Sequence, residues 1–139
     1  MEQSKIIIYS DGGARGNPGP AAVGAVLFAA DGITVVDKIS SFIGVATNNQ
    51  AEYQAIEFAL ARALELGAHE VECYLDSELV VQQLNLKYKV KNQGLGPYFV
   101  KTWNLIHQFK KASFHAIPRE KNKIADQLVN QALDNNLKS

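Results

Sequence analysis

Four acidic residues occupy positions where a solvated charge is unusual. Asp11 and Asp76 each follow an apolar run typical of a buried strand. Glu52 and Asp126 each lie near the start of a predicted helix, on the same face as its apolar residues. Their side chains therefore project from the core-facing side of the helix and not from the side that faces water. Ligands in open α/β sheets collect beyond the carboxyl ends of parallel strands, so we expect the strand ends at Asp11 and Asp76 to be neighbours. The four carboxylates are therefore predicted to converge.

Such a cluster has a defined chemistry. Buried carboxylates without a counter-charge cost several kcal/mol each and have raised pKa values, and divalent cations remove that cost. Oxygen ligands without a cysteine or histidine cluster favour Mg²⁺, with Mn²⁺ as a substitute, over Zn²⁺. Two such ions about 3.5 to 4 Å apart are the usual arrangement for in-line phosphodiester cleavage. The spacing leaves open a plainer alternative, in which two strand-terminal or N-capping aspartates accompany two ordinary helix acids.

The glycine-rich segment 11–20 (DGGARGNPGP) lies directly at the first of these carboxylates. It is not a phosphate-binding loop, because no Lys-Ser/Thr pair follows, and its glycines do not match the dinucleotide-binding pattern. We expect an exposed turn whose backbone amides approach a sugar-phosphate strand, with Arg15 and Asn17 as polar contacts. A tight loop between two strands is the alternative.

The elements that position these residues follow one another in a regular order. Strands are predicted at 5–10, 21–30 and 33–43, the last two flanking the hairpin signal Asp31-Gly32. A helix at 48–66, closed by Gly67, comes next. The remaining predicted elements are a strand at 71–75, a helix at 77–86, a basic loop at 86–97, a helix at 98–111, a strand at 113–117, a loop at 118–122 and a helix at 123–137. This order predicts an α/β sheet whose later strands run parallel to the first.

Composition narrows the class of protein. A chain of 139 residues that is 47% hydrophobic and 20% charged fits one domain over 1–139 and excludes disordered, collagen-like and coiled-coil proteins. No apolar run approaches the roughly 20 residues of a membrane span, so we expect no membrane partner. Cys73 is the single cysteine and the opening MEQSK lacks the features of a secretory signal. We therefore expect a cytoplasmic location.

A net charge of zero hides a strong asymmetry along the chain. Residues 1–86 carry a net charge of −7, and residues 87–139 carry +7. The second half could face a polyanion while cations bind among the carboxylates of the first half. An ordinary mixed surface is the alternative that composition alone leaves open.

Four segments, in this order along the chain, resemble the motifs of ribonuclease H, type 1, in its compact bacterial and archaeal form. They are DGGARGNPGP at 11–20, TNNQAEYQA at 47–55, DSELVVQQL at 76–84 and PREKNKIAD at 118–126. The resemblance implies a five-stranded mixed sheet with helices on both faces. It also implies two-metal-ion cleavage of the RNA strand of an RNA–DNA hybrid, leaving 5′-phosphate and 3′-hydroxyl ends. The family's catalytic, metal-binding carboxylates fall on Asp11, Glu52, Asp76 and Asp126.

The resemblance also implies contacts with the hybrid. Residues of the glycine segment and the asparagines before the helix glutamate would reach the minor groove and read ribose hydroxyls, which distinguish RNA from DNA; these are Gly12, Gly13, Asn17, Asn48 and Asn49. Thr47 and Asn92 match positions that bind a phosphate of the DNA strand in some members. Ser77 follows the third carboxylate, as in the family, and is included among the substrate-binding residues.

The chain departs from the family in its basic region. Members with a basic handle have an extra helix where this chain has only residues 86–97, which we call the basic segment. Its three lysines, Lys87, Lys89 and Lys91, would replace the handle in part, so hybrid binding is expected to be weaker and more sensitive to salt. No protein partner is required by any motif, and we expect a monomer.

The chain also departs from the family pattern at single positions. Val45 and Glu78 stand where some relatives have an arginine and a glutamine that contact substrate. Many members place a mobile histidine shortly before the last aspartate, whereas residues 118–123 contain none. Three residues in that stretch are candidates to assist product release: Arg119, Glu120 and Lys121.

Other functions remain open at this point. A nuclease acting on double-stranded RNA or branched DNA would use the same metals. A binding module without catalysis, or a metal-dependent phosphatase or small-nucleotide hydrolase, belongs to a different class. Cleavage assays on hybrid, RNA duplex, DNA duplex and mononucleotides separate these possibilities.

Overall fold

The computed structural model describes residues 4–92 and 94–138, so the start of the opening segment MEQSK, on which the prediction about a secretory signal rests, lies outside it. Its strands are β1 (Lys5–Ala14), β2 (Gly19–Phe28), β3 (Val35–Ala46), β4 (Glu70–Leu75) and β5 (Lys111–Ala116). Its helices are α1 (Asn48–Glu65), α2 (Glu78–Leu84), α3 (Gly96–Ile106) and α4 (Lys123–Lys138), with a 3₁₀ turn at Arg119–Lys121. None of the described helices combines the length and the apolar character needed to cross a membrane.

The five strands form one mixed sheet in the order β3-β2-β1-β4-β5. Strand β2 pairs antiparallel with both β1 and β3, whereas β4 runs parallel to β1 and β5 runs parallel to β4. This confirms the predicted fold class, three antiparallel strands followed by parallel additions. In the parallel ladder Ser10 is opposite Leu75, so the residues that follow them, Asp11 and Asp76, are neighbours at the end of this pairing.

Helices cover both faces of the sheet, as expected. Alternate residues of a strand point to opposite faces, and the neighbours Ala22 and Val23 of β2 show this directly. Val23 packs in the main core with α1, through residues such as Ile56, while Ala22 packs with Val129 and Leu133 of α4. Helix α4 approaches so closely that a Cβ at Gly24 would lie 2.4 Å from the Ala125 carbonyl oxygen.

The start of α1 is determined by its local sequence. Thr47 is the N-cap, and its hydroxyl accepts from the Gln50 backbone N–H at 3.1 Å. Gln50 Oε1 accepts from the Thr47 N–H at 3.0 Å, which completes a capping box. The helix ends at Glu65, shortly before Gly67, in agreement with the predicted boundary.

The glycine-rich segment differs from the single exposed turn that its sequence predicts. Strand β1 continues through Asp11 and the two following glycines to Ala14, which pairs with Ala21, so only residues 15–18 connect the strands. The local sequence is typical of a turn, but the β2 ladder satisfies the backbone groups of this stretch, and the missing side chain of Gly12 leaves room for α1.

Other boundaries differ more modestly. Helix α3 begins at Gly96 rather than 98, because Pro97 lies in the first turn, where its missing N–H costs no helical bond. It ends at Ile106 rather than 111, since the Lys110 N–H donates to the His69 carbonyl at 2.8 Å and the chain enters β5. Over the described residues of the basic segment preceding Gly96 there is no helix, which agrees with the predicted loop.

Candidate metal and nucleic-acid site

Three of the predicted carboxylates meet at the edge of the sheet. Asp11 lies on β1, Glu52 lies one turn into α1, and Asp76 directly follows β4. One carboxylate oxygen from each lies within 4.8 Å of the others. Asp11 and Glu52 are both 6% exposed. The structure therefore concentrates carboxyl groups in a place that water reaches poorly.

Glu52 owes its position to a close approach of α1 to β1. The backbone N–H of Gly12 donates to Glu52 Oε1 at 3.0 Å. An ideal Cβ at residue 12 would lie 2.2 Å from the carbonyl oxygen of Ala51, so a glycine is required for the helix to rest on the strand here. The other carboxylate oxygen, Glu52 Oε2, is buried without a hydrogen-bond partner.

Asp126 belongs to the same site but lies outside this group of three. It projects from the first turn of α4 into a cavity of about 400 Å³ that Asp11, Glu52 and Asp76 also line. Its side chain is 32% exposed, and its Oδ1 is 3.6 Å from the Arg119 guanidinium. The four carboxylates are thus brought to one cavity, three of them tightly and the fourth at its more solvated side.

Burial dominates the electrostatics of this cavity. It raises the pKa of Asp11 from 3.8 to about 7, and the negative charges of Asp76 and Asp126 act in the same direction, while contact with Glu52 acts against them. Burial also raises the pKa of Glu52 well above its ordinary value, and the neighbouring Asp11 adds to this effect. A cation placed among these groups would offset both effects.

The residues present fit a divalent cation. The donors are carboxylate oxygens, the set that Mg²⁺ and Mn²⁺ prefer, and neither cysteine nor histidine lines the cavity. The orphaned Oε2 of Glu52 is a buried acceptor that lacks a partner in the protein. Asp11, Glu52 and Asp76 could hold one ion, with Asp126 available for a second beside Asp11.

Two predicted substrate-binding asparagines are held against each other beside the cavity. The Ala14 N–H donates to Asn48 Oδ1 at 2.8 Å, and the Asn48 N–H donates to Asn17 Oδ1 at 3.0 Å. Each side-chain oxygen is therefore engaged, which fixes the orientation of both amides. No described residue accepts a hydrogen bond from either Nδ2 group, so both asparagines have free amide donors to offer to a ligand.

Thr47 and Asn92 show the same pattern on the far side of the α1 N-terminus. The Thr47 hydroxyl oxygen accepts from Gln50 N–H, and Asn92 Oδ1 accepts from Gly94 N–H at 2.8 Å. The Gln50 side chain links the two regions, because its Nε2 lies 3.5 Å from the Gly94 carbonyl oxygen. Again the acceptor atoms are used within the protein, and the hydroxyl hydrogen and the amide hydrogens remain for a ligand.

The remaining predicted substrate contacts differ in whether they line the carboxylate cavity. Gly13 lines the cavity together with Gly12. Asn49 is half-buried in the first turn of α1 and does not line that cavity. Ser77 caps α2, where its hydroxyl accepts from the Val80 N–H at 3.3 Å, so its position has a structural reason independent of any ligand.

The three candidates for product release point to different places. Arg119 lines the carboxylate cavity and reaches Asp126. Glu120 and Lys121 instead line a separate cavity of about 330 Å³, whose other walls include Tyr9 and Phe28. Of the three, only Arg119 is close to the carboxylates.

Sequence reasoning missed Asn122. This residue is 1% exposed, and its Nδ2 donates to the Ser10 carbonyl at 2.8 Å and to Asp76 Oδ2 at 3.0 Å. An asparagine just before a helix is typical of an N-cap, so the sequence contained no signal for a long-range contact. Asn130 was also missed; its amide donates to the Asp126 carbonyl at 3.1 Å from one helical turn away.

Comparison with known proteins identifies the fold family. The family described as "Reverse transcriptase-like" matches residues 9–132. The crystal structure of RNase H1 from Halobacterium salinarum superposes with a TM-score of 0.91 at 42% identity, over 94% of this chain and 98% of that one. The chain belongs to the ribonuclease H family. Because the handle helix is absent from the described residues, it is a compact member, as the motifs indicated.

Two further comparisons bear on substrate and on length. The crystal structure of LC11-RNase H1 in complex with an RNA/DNA hybrid superposes with a TM-score of 0.90 at 44% identity, over 95% of this chain and 99% of that one. The "Bifunctional protein Rv2228c" of Mycobacterium tuberculosis is 44% identical over 130 residues. That alignment covers 94% of this chain and 36% of the relative, so the chain spans about a third of the length of this relative.

Proposed function

We propose that this chain is an endonuclease that hydrolyses the RNA strand of RNA–DNA hybrids by two-metal-ion catalysis. The observation that carries the proposal is the buried cluster of Asp11, Glu52 and Asp76, with its orphaned oxygen, beside asparagine amides that have free donors to offer. Family membership and the hybrid-bound relative support the choice of substrate.

Each carboxylate has a distinct part in this proposal. Asp11 and Asp126 would hold one Mg²⁺, and Asp11, Glu52 and Asp76 would hold the other, with Mn²⁺ as a substitute. When bound, such ions would supply the Lewis acidity that activates an attacking water and stabilises a leaving 3′ oxygen, which would give 5′-phosphate and 3′-hydroxyl ends. Asp11 is assigned to both ions because its carboxylate interacts with all three of the others; burial first, and then the charges of Asp76 and Asp126, raise its pKa.

The donors beside the cavity suit the hybrid. The minor groove presents base acceptors and ribose 2′-oxygens, and phosphates are acceptors as well. Asn17 and Asn48 can each donate through Nδ2 toward the groove, and Gly12 and Gly13 stay in the proposal as contacts implied by the family. Thr47 at the N-cap of α1 and Asn92, which is connected to it through Gln50 and Gly94, offer their donors where the DNA-strand phosphate is expected. Asn49 and Ser77 stay in the proposal as contacts implied by the family alone.

The remaining expectations complete the proposal. One ribonuclease H domain over 1–139 acts as a monomer without an obligate protein partner, in the reducing cytoplasm, where the buried thiol of Cys73 stays unpaired. Arg119 is the residue assigned to product release, since Glu120 and Lys121 face the other cavity.

The deciding experiment is cleavage of end-labelled hybrid by the purified protein with Mg²⁺ or Mn²⁺. We expect cuts only in the RNA strand, none in RNA duplex or DNA duplex, and none after EDTA. Asp11→Asn should abolish cleavage without unfolding the protein, whereas Asp31→Asn, in the exposed β2–β3 turn, should cleave normally. Uncut hybrid with intact, metal-loaded protein, or normal cleavage by Asp11→Asn, would refute the proposal. Turnover of mononucleotides instead would favour the small-nucleotide hydrolase.

A further inference from the structure

Asn122 joins three of the segments that supply carboxylates. Its side-chain amide donates to the Ser10 carbonyl, immediately before Asp11, and to the Asp76 carboxylate. Its own backbone carbonyl accepts from the Asp126 N–H at 3.1 Å. One buried residue therefore contacts β1, the end of β4 and the first turn of α4.

The orientation of the Asn122 side chain satisfies its amide donors and leaves its acceptor oxygen without a partner. An asparagine that precedes a helix commonly accepts a hydrogen bond from an N–H of the first turn. Here Oδ1 is buried without a partner, which is unfavourable for an acceptor removed from water. Reversing the amide would place Oδ1 against two other oxygens, those of Ser10 and Asp76, so the observed orientation is the better one. Both amide hydrogens are used, and both lead to the carboxylate site.

The Asp76 carboxylate depends on this contact. Among the described residues, the bond from Asn122 is the one hydrogen bond that its side chain accepts. An aspartate just after a strand has several side-chain rotamers open to it, and a fixed donor selects one. Outer groups that orient a metal-binding side chain commonly affect metal affinity about 10- to 100-fold.

We propose that Asn122 is a positioning residue, whose buried amide fixes the Asp76 carboxylate relative to Asp11 for cation binding. The inference rests on the function proposed above, because it concerns the same carboxylates. The residue does not touch the substrate in this proposal. Its effect is expected on metal affinity first, and on cleavage through metal affinity.

The test is a titration of the full chain with Mn²⁺ at equilibrium, in which electron paramagnetic resonance measures the free ion. Asn122→Ala should bind Mn²⁺ about 10-fold more weakly or worse, and hybrid cleavage should need correspondingly more Mg²⁺ for half-saturation. Asn122→Ser retains a hydroxyl donor and should lie between alanine and wild type. It also keeps the test readable if the alanine variant does not fold.

Gln83→Ala is the matched control. Gln83 is 3% exposed, and its amide accepts from the Tyr53 hydroxyl and donates to the Lys89 carbonyl at 3.5 Å, without contacting the carboxylates. It should lower the urea midpoint of unfolding and leave Mn²⁺ affinity unchanged. A folded Asn122 variant with wild-type Mn²⁺ affinity, or equal loss of affinity in both, overturns the positioning role. A wild-type protein that binds no Mn²⁺ and leaves hybrid intact instead overturns the proposed function.

Discussion

The contact between β1 and α1 allows a sharp prediction for Gly12→Ala. The added Cβ would lie 2.2 Å from Ala51 O and 2.6 Å from Glu52 N, whereas ordinary contacts begin near 3.4 Å, so strand and helix must separate by about 1 Å. Overpacking typically costs about 1 to 3 kcal/mol, and we expect about 3 kcal/mol because the clashing atoms are backbone and cannot rotate away. For a chain of this size that lowers the melting temperature by roughly 10 °C.

Gly13→Ala is the control for this prediction. It adds the same methyl group to the next residue of the same strand, where the nearest atom, Val129 Cγ1, is 3.7 Å away. Urea unfolding followed by circular dichroism should place this variant within about 0.5 kcal/mol of wild type. Equal midpoints for the two alanine variants would show that α1 does not rest on β1 as described, and the placement of Glu52 would lose its physical basis.

Three further predictions concern the site. Because burial raises the pKa of Asp11 to about 7, the folded metal-free chain keeps a proton that the unfolded chain releases near pH 4, so its stability should fall as the pH rises between these values. In EDTA, Asp11→Asn should reduce that pH dependence of the urea midpoint and leave the part due to Glu52, whose pKa is also raised, and an unchanged slope would contradict the assignment. Replacing the three lysines of the basic segment by alanine should weaken hybrid binding and reduce the slope of log K against log salt by about 1 for each phosphate that a lysine neutralises, whereas an unchanged slope would exclude their binding to phosphate. Arg119→Ala should slow steady-state turnover of hybrid but not a single-turnover cut, with Lys121→Ala unaffected in both; a slowed single turnover would place Arg119 in an earlier step.

Much of the fold was predictable because apolar residues recur along the chain with the period of each helix or strand. The β-branched run at 5–10 and the spacing of apolar residues after Asn48 identify a strand and a helix and also indicate which side of each is buried. The helical period also indicates that the side chains of Glu52 and Asp126 project from the core-facing side of their helices. The capping box at Thr47 is likewise local, since both partners lie within one turn.

Local patterns failed where a distant partner decides the structure. Gly12 and Gly13 are typical of a turn, yet they continue β1, because β2 supplies the hydrogen bonds and α1 needs the space at Gly12. Arg119 and Lys121 are close neighbours in sequence, and only the path of the 3₁₀ turn separates the side chain at the carboxylates from the one at the other cavity.

The amino-acid sequence by itself determined which side chains could form the site. It also determined which helices and strands form and which of their faces are apolar, since these depend on interactions between residues a few positions apart. Tertiary structure decided how far β1 extends, how close Asp11, Glu52 and Asp76 approach, and that the Asn122 amide serves Asp76 rather than its own helix. Asn122 and Ser10 are 112 positions apart, so no local energy term connects them. Their contact follows from the packing of α4 against the sheet and from the register between β1 and β4, and both are properties of the folded chain.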